Sequence, residues 1–307
     1  MSSFSIAIHG GAGTILPELM TPEKETAYTE ALREALLVGH KIMEQNGSAL
    51  DAVEASVVSL ENHPLFNAGR GAVFTHECTN EFDASIMCGN NWQAGAVAAV
   101  KGIKNPVKLA RAIMEHSGHV MLCEDGAAKF AKQMGLEFEN PEYFYTEDRY
   151  QQWLAIKDSD AYQLDHSDEK KFGTVGAVAL DKDGNLAAAT STGGMTNKQF
   201  GRIGDSPIIG AGTYANNKTC AVSCTGHGEY FIKAVVAYDI SCLMEYQGLS
   251  LQEACELVVN KKLVDFGGEG GVIAADAMGN IAMPFNSPGM YRAAKRNNEP
   301  ELIAIFK

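Results

Sequence analysis

Phe172-Gly173-Thr174-Val175-Gly176-Ala177-Val178-Ala179-Leu180 is the stretch on which the reading of this chain turns. It starts abruptly after a long polar run. Small and β-branched residues from Thr174 onward predict a strand. Asp181-Lys182-Asp183-Gly184 follows as a turn, and Asn185 to Thr192 predicts a second strand. An Asp-Gly pair between two such runs signals a hairpin. Loop length then decides what faces Thr174. A two-residue loop at Asp183-Gly184 sets it opposite Gly193, a three-residue loop (Lys182 to Gly184) opposite Thr192, and a four-residue loop opposite Ser191. Cross-strand neighbours lie about 5 Å apart, so every register brings Thr174 beside Ser191-Thr192-Gly193-Gly194. Two readings stay open here: a nucleophilic hydroxyl, or an ordinary β-former on a sheet.

The composition of the 307 residues, 46% hydrophobic and 21% charged, is that of a globular chain with a sizeable core. A net charge of -13 argues against nucleic acid and anionic membranes as partners. No run reaches the roughly 18 apolar residues of a membrane span, and Met1-Ser2-Ser3-Phe4-Ser5-Ile6 lacks the basic and apolar regions of a signal peptide. The seven cysteines are odd in number, scattered and without a Cys-x-x-Cys pair, so a reducing, cytoplasmic setting is expected.

Outward from the hairpin, Ser5 to His9 reads as a buried strand closed by Gly10-Gly11-Ala12-Gly13-Thr14. A dinucleotide fingerprint there lacks its third glycine and a following helix, and Pro17 interrupts. Thr21-Pro22 starts one helix and Ser48 caps the next. Leu60 to Gly71 is an irregular loop with a Pro and two Gly; such loops can ring a hard cation with carbonyls, or simply connect. Strands are expected at Ala72 to Thr75, Phe82 to Cys88, Gln93 to Val100, Val120 to Leu122, Ile208 to Gly212, Thr219 to Cys224, Val272 to Ala275 and Ile281 to Phe285. Helices are expected from Pro106 to about His116, Asp125 or Gly126 to Met134, Glu229 to Tyr246, and after Ser250 to about Lys262. The acidic piece from about Lys157 to Lys171 reads as a solvated linker. A linker that ends at a buried strand makes sense if the chain is cut there.

That cut would also supply the base a hydroxyl nucleophile needs. A free α-amine titrates at about 7.7–8.0 and would lie on Thr174 itself. No histidine is obviously placed to serve: His9, His63 and His227 sit in glycine-rich or irregular turns. There is no zinc signature and no P-loop. Thr225-Gly226, at a strand-to-helix turn, offers donors for an oxyanion, or caps a helix. Arg202 and Asp205 suit the carboxylate and ammonium of an amino-acid head, or pair with each other at the surface.

Taken together, Gly173-Thr174-Val175-Gly176-Ala177-Val178, Thr190-Ser191-Thr192-Gly193-Gly194, Gly201-Arg202-x-Gly204-Asp205-Ser206-Pro207, Thr225-Gly226-x-Gly228-Glu229, His9-Gly10-Gly11-Ala12-Gly13 and Pro64-x-Phe66-Asn67-Ala68-Gly69 resemble the plant-type L-asparaginases, or isoaspartyl peptidases, of the N-terminal nucleophile hydrolase superfamily. The resemblance spans nearly the whole chain. It implies an α+β fold, a four-layer αββα sandwich, forming a single hydrolase domain. It implies autocleavage between Gly173 and Thr174 into segments 1–173 and 174–307, the first ending in a linker over 157–173, and dimerisation of the resulting αβ unit. Thr174 would be the nucleophile, hydrogen-bonded to Thr192. Arg202 would bind the substrate α-carboxylate and Asp205 its α-amine, with Gly228 a further contact. Thr225 and Gly226 would form the oxyanion hole. Carbonyls of Leu60, Glu61, His63, Phe66, Ala68 and Arg70 would hold a structural sodium. No role carries over to His227, and Phe200 is expected to shape the pocket. The implied activity is hydrolysis of L-asparagine and β-aspartyl dipeptides without a catalytic cofactor. Its rivals are a glycosylasparaginase, a threonine-type endoprotease, or an uncleaved amino-acid-binding protein.

Overall fold

The computed structural model describes residues 3–158 and 173–307, so the expected linker falls almost wholly outside the described residues. In chain order the elements are β1 (Ser5–Gly13), α1 (Pro22–Glu44), α2 (Ala49–Asn62), β2 (Phe82–Cys88), β3 (Ala94–Val100), α3 (Pro106–His116), β4 (Met121–Cys123), α4 (Glu124–Gln133), α5 (Pro141–Phe144) and α6 (Glu147–Leu154). After the undescribed segment come β5 (Val175–Leu180), β6 (Leu186–Thr192), β7 (Thr213–Ala215), β8 (Cys220–Gly226), α7 (Gly228–Ala234), α8 (Val236–Gln247), α9 (Leu251–Glu256), α10 (Leu263–Asp265), β9 (Gly270–Asp276), β10 (Ile281–Ala282), β11 (Gly289–Arg296) and β12 (Leu302–Ala304).

Local chemistry sets the main helices. Thr21 accepts from the Lys24 N–H with Pro22 at the first helical position, and the α1 face Leu32, Ala35, Leu36, Gly39 and Met43 is buried at helical spacing. Ser48 accepts from the Asp51 N–H to start α2. A second acceptor for α2 comes from the hairpin: Asp181 Oδ2 takes the Ala49 N–H at 2.9 Å. Its Oδ1 takes the N–H groups of Asp183 (3.0 Å) and Asn185 (2.9 Å). One side chain thus shapes the turn between β5 and β6 and ties it to a helix.

An eight-stranded sheet in the order β12-β11-β1-β5-β6-β2-β3-β4 faces a four-stranded sheet β10-β9-β8-β7. One core, including Leu32, Leu36, Val53, Phe66 and Phe82, lies between the large sheet and α1 to α3. The other lies between the sheets and under α8 and α9, where Val178, Ala188, Val222, Ile240 and Val258 meet. This is the expected αββα sandwich. Strands β5 and β6 are buried along their whole length because both faces are covered. Among the described residues, no helix is long and apolar enough to cross a membrane.

Several expected elements shift. Ala72 to Thr75 is not a strand: the Val73 N–H goes to Asn67 Oδ1, and the Ala72 and Val73 carbonyls go to Asn80 Nδ2. Ile208 to Gly212 closes turns on itself, through Ala211 N–H to Ile208 O and Gly210 N–H to Thr213 O, so the strand begins at Thr213. The long helix after Glu229 breaks at Val235, whose φ of 51° separates α7 from α8. The last helix passes through a π segment, Leu257–Lys262, between α9 and α10. Two short helices that were not expected, α5 and α6, precede the undescribed segment. The C-terminal residues from Gly289 supply two strands not expected, β11 and β12, with β11 pairing directly with β1.

Candidate active site

The hairpin takes the three-residue loop. Leu180 pairs with Leu186 and Val175 with Ser191, and the Asp181 N–H bonds Asn185 O at 3.0 Å across a three-residue loop. Thr174 therefore stands opposite Thr192. Its Oγ1 donates to Thr192 Oγ1 at 3.2 Å, and Thr192 Oγ1 donates in turn to the Gly173 carbonyl at 3.0 Å. A second donor reaches that carbonyl: Asn67 Nδ2, at 2.8 Å. Two donors on one amide oxygen polarise the bond that precedes Thr174 and would hold charge developing there. A side chain at position 173 would start 2.5 Å from the Asn67 Cβ, so only glycine fits this approach.

Asn67 is the main residue that sequence reading missed. It occurs in the quoted Phe66-Asn67-Ala68 motif, yet nothing in its spacing links it to a residue more than a hundred positions away. His9 is the second. It lies within β1, where its Nδ1–H donates to the Thr174 carbonyl at 3.0 Å while Nε2 meets Ser223 Oγ at 3.0 Å. Burial lowers its pKa to about 3, so the ring is neutral and positions the Thr174 backbone.

Opposite the hydroxyls, the loop after β6 brings Arg202, Gly204, Asp205 and Ser206 into the same cavity as Gly173, Thr174, Thr192 and Gly226. Its volume is about 20 Å³, room for about one water, with Gly173 forming part of the wall. Asp205 is buried, and among the described residues its Oδ2 has no hydrogen-bond partner. Burial, opposed by the Arg202 charge, pushes its carboxyl up to about 7. A buried carboxyl oxygen without a hydrogen-bond partner is costly. Arg202 and Asp205, each of which lines the cavity, form no surface ion pair with each other. The Arg202 guanidinium is instead gripped by Glu229, Nε to Oε1 and Nη2 to Oε2, both at 2.9 Å. A Cβ on Gly228 would lie 2.8 Å from Asp205 Oδ1 and 2.9 Å from Arg202 Nη2, so the missing side chain keeps the space beside both groups clear.

Gly226 lines the cavity, with φ +149° that favours glycine. Thr225 sits one residue behind, fully buried, its Oγ1 accepting the Ala12 N–H at 3.1 Å. Phe200 does not line the cavity; it is 91% exposed, because the Gln199 to Gly201 turn swings it outward. His227 precedes α7 and meets Glu229 Oε2 at 3.2 Å.

In the loop from Leu60 to Arg70, Leu60 O accepts from His63 N–H (3.2 Å), Phe66 O from Ala68 N–H (2.9 Å) and Ala68 O from Gly71 N–H (3.3 Å). The Cβ position of Gly69 lies 2.5 Å from Glu61 O, so the loop folds tightly over its own carbonyls. Arg149 braces it from outside through Gly71 O at 2.9 Å. Among the described residues no three His, Cys, Asp or Glu cluster as ligands. Each bonded carbonyl keeps a second lone pair, so the loop's donor set fits a hard cation.

The family described as asparaginase matches residues 2–305 of this chain. The chain belongs to the asparaginase family. It is 58% identical over 312 residues to the isoaspartyl peptidase of Escherichia coli (strain K12), covering all of this chain and 97% of that relative. It is 55% identical to the isoaspartyl peptidase of Salmonella typhimurium, with both chains covered completely. It is 42% identical to the plant-type L-asparaginase of Pyrococcus abyssi, over 97% of this chain and 98% of that one. The asparaginase-family match and the hydroxyl-lined site place this chain among enzymes.

Proposed function

We propose that this asparaginase-family chain is an autoprocessing amidohydrolase that converts L-asparagine to aspartate and ammonia and cleaves β-aspartyl dipeptides. The observation that carries the reading is Thr174 Oγ1, bonded to Thr192, beside a carbonyl held by two donors and across a small cavity from Asp205, whose Oδ2 has no hydrogen-bond partner among the described residues. The names of the relatives, isoaspartyl peptidase and plant-type L-asparaginase, agree with it.

In the first stage Thr174 Oγ adds to the Gly173 carbonyl carbon, its proton leaving through Thr192. Asn67 Nδ2 and Thr192 stabilise the oxyanion. The C–N bond breaks, the Thr174 nitrogen takes a proton, and the Gly173 acyl group moves to the threonine oxygen. Water hydrolyses that ester, separating 1–173 from 174–307 and freeing the α-amine. Departure of Gly173 removes one wall of the cavity and opens the substrate site.

In the second stage the amine takes the Thr174 hydroxyl proton as Oγ attacks the side-chain amide carbonyl. Asp205 pairs with the substrate ammonium and Arg202 with its α-carboxylate. Thr225 and Gly226 hold the oxyanion, and the amine returns the proton to the leaving nitrogen. Water then hydrolyses the acyl-enzyme ester to aspartate. We further propose that the carbonyls of Leu60, Glu61, His63, Phe66, Ala68 and Arg70 hold sodium in a structural role, and that the cut units pair as dimers in a cytoplasmic setting. The seven cysteines, all free, suit that setting.

Intact mass spectrometry during incubation, with Thr174→Ala as control, tests the reading alongside aspartate release from asparagine and β-aspartyl dipeptides. Two fragments meeting at 173/174 and aspartate production are expected. A single uncut species that releases no aspartate overturns it.

A further inference from the structure

The guanidinium of Arg202 has two edges that can take a carboxylate in parallel: Nε with Nη2, and Nη1 with Nη2. Glu229 occupies the first, both contacts at 2.9 Å. Among the described residues, Nη1 makes no hydrogen bond. The planar group lies against Gly204, whose Cβ position is 2.9 Å from Nη1. Glu229 is itself held, with His227 Nε2 3.2 Å from its Oε2. Burial alone would raise the Glu229 carboxyl, but the hydrogen bonds from His227 and Arg202, with the Arg202 charge, hold it well below the usual carboxylate range. It is therefore a permanent anion.

We propose that Glu229 is a positioning residue for substrate selection: it fixes Arg202 by one edge so that the other is presented, preformed, to the α-carboxylate of the substrate. The inference rests on the proposed activity and assigns a role to a residue that touches no reacting atom. A free arginine side chain must lose rotamer freedom to bind a carboxylate, and a fixed one has already lost it. Nη2 serves both edges, because its two hydrogens point to different partners. The arrangement also discriminates by charge. With Glu229 the Arg202 pair is net neutral, so a ligand gains little from a negative charge in general and much from a carboxylate that matches the free edge in shape.

The test compares L-asparagine with its α-amide, in which a neutral carboxamide replaces the α-carboxylate, on the cut enzyme. For Glu229→Ala, KM for asparagine is expected to rise about tenfold with kcat nearly unchanged, while kcat/KM for the α-amide and the rate of autocleavage stay as they are. Glu229→Gln, which can still accept one guanidinium hydrogen, is expected to restore part of the preference. An equal loss on both substrates would mean general damage and overturn the proposal, as would a lower KM for asparagine, which would make Glu229 a competitor. If the unaltered chain neither cuts itself nor hydrolyses asparagine, the activity it rests on fails and the inference falls with it.

Discussion

The Thr192 hydroxyl donates to the Gly173 carbonyl at 3.0 Å, so the residue beside the candidate nucleophile also grips the bond to be attacked. Because Thr192 has one hydroxyl hydrogen and spends it on that carbonyl, it can only accept from Thr174, which sets the direction in which the nucleophile's proton points. Thr192→Val keeps the shape and removes the relay. Loss of one such donor costs about 10²- to 10³-fold in rate. Autocleavage, followed by intact mass, is expected to slow by that order, and Thr192→Ser to retain most of it. Unchanged cleavage in the valine variant would remove Thr192 from the mechanism.

Gly228 offers a cleaner separation of the two stages. The three atoms nearest its Cβ position are Asp205 Oδ1, Arg202 Nη2 and the Asp205 backbone N, none of them of Gly173 or Thr174. Gly228→Ala should therefore cut itself at the normal rate and then show a KM for asparagine raised at least about tenfold, roughly 1.4 kcal/mol of binding. Normal kinetics with both substrates would show that the space is not used.

Asp205 has opposing effects on stability and function. Its folded-state value, about 7, lies above the ordinary 3.8. Between these values the folded protein keeps a proton that the unfolded chain has released, so the stability it contributes is full below about pH 4 and lost as pH rises toward 7. Asp205→Asn should raise the melting temperature at pH 8, by the few degrees that about 1–3 kcal/mol of relieved burial represents, while asparagine hydrolysis collapses. In the unaltered enzyme, KM should climb as pH falls below 7, because a protonated Asp205 cannot pair with an ammonium. A melting temperature that drops in the asparagine variant would contradict this.

Glu61 is a second buried carboxyl, pushed up to about 7 by burial against the hydrogen bonds it accepts. It takes Ser191 Oγ at 2.6 Å and the Val107 N–H at 3.0 Å, joining the strand that carries Thr192 to the start of α3. The sign is the same as for Asp205: stability declines as pH rises from about 4.5 to 7. Thermal melts of Glu61→Gln across that range should show a shallower decline than the unaltered protein. An identical slope would mean that Glu61 does not titrate in the folded state.

What could be read from the sequence was what neighbours in sequence determine. The Asp-Gly turn and its flanking strands set Thr174 among Ser191 to Gly194 but left three registers open, which the Asp181 to Asn185 pairing of the folded hairpin resolves. Caps at Thr21, Ser48 and Ser250 marked helix starts correctly. Contacts across the fold carried no such signal. Asn67 reaches Gly173 because the loop after α2 folds back over the hairpin, and His9 reaches Thr174 because β1 pairs with β5. Strand β11 escaped notice because Tyr291, Arg292, Lys295 and Arg296 keep one part of each repeat half-exposed, masking the buried Met290, Ala293 and Ala294. Arg202 and Asp205 stood out as a charged pair three residues apart, yet the Glu229 grip on Arg202 depends on a helix that starts 23 residues after Asp205.

The order of the large sheet has a consequence for the molecule's life after a cut at Thr174. Strand β1 belongs to the first segment but is flanked by β11 and β5 of the second, while β6 of the second is flanked by β5 and by β2 of the first. The two pieces are plaited, not stacked. Neither can leave without tearing a row of backbone hydrogen bonds on two sides. Once such a two-piece molecule unfolds, its halves diffuse apart, and reassembly becomes a bimolecular event that depends on concentration. Folding is then a step the intact chain completes before the cut, and durability afterwards is set by how slowly the plait comes undone.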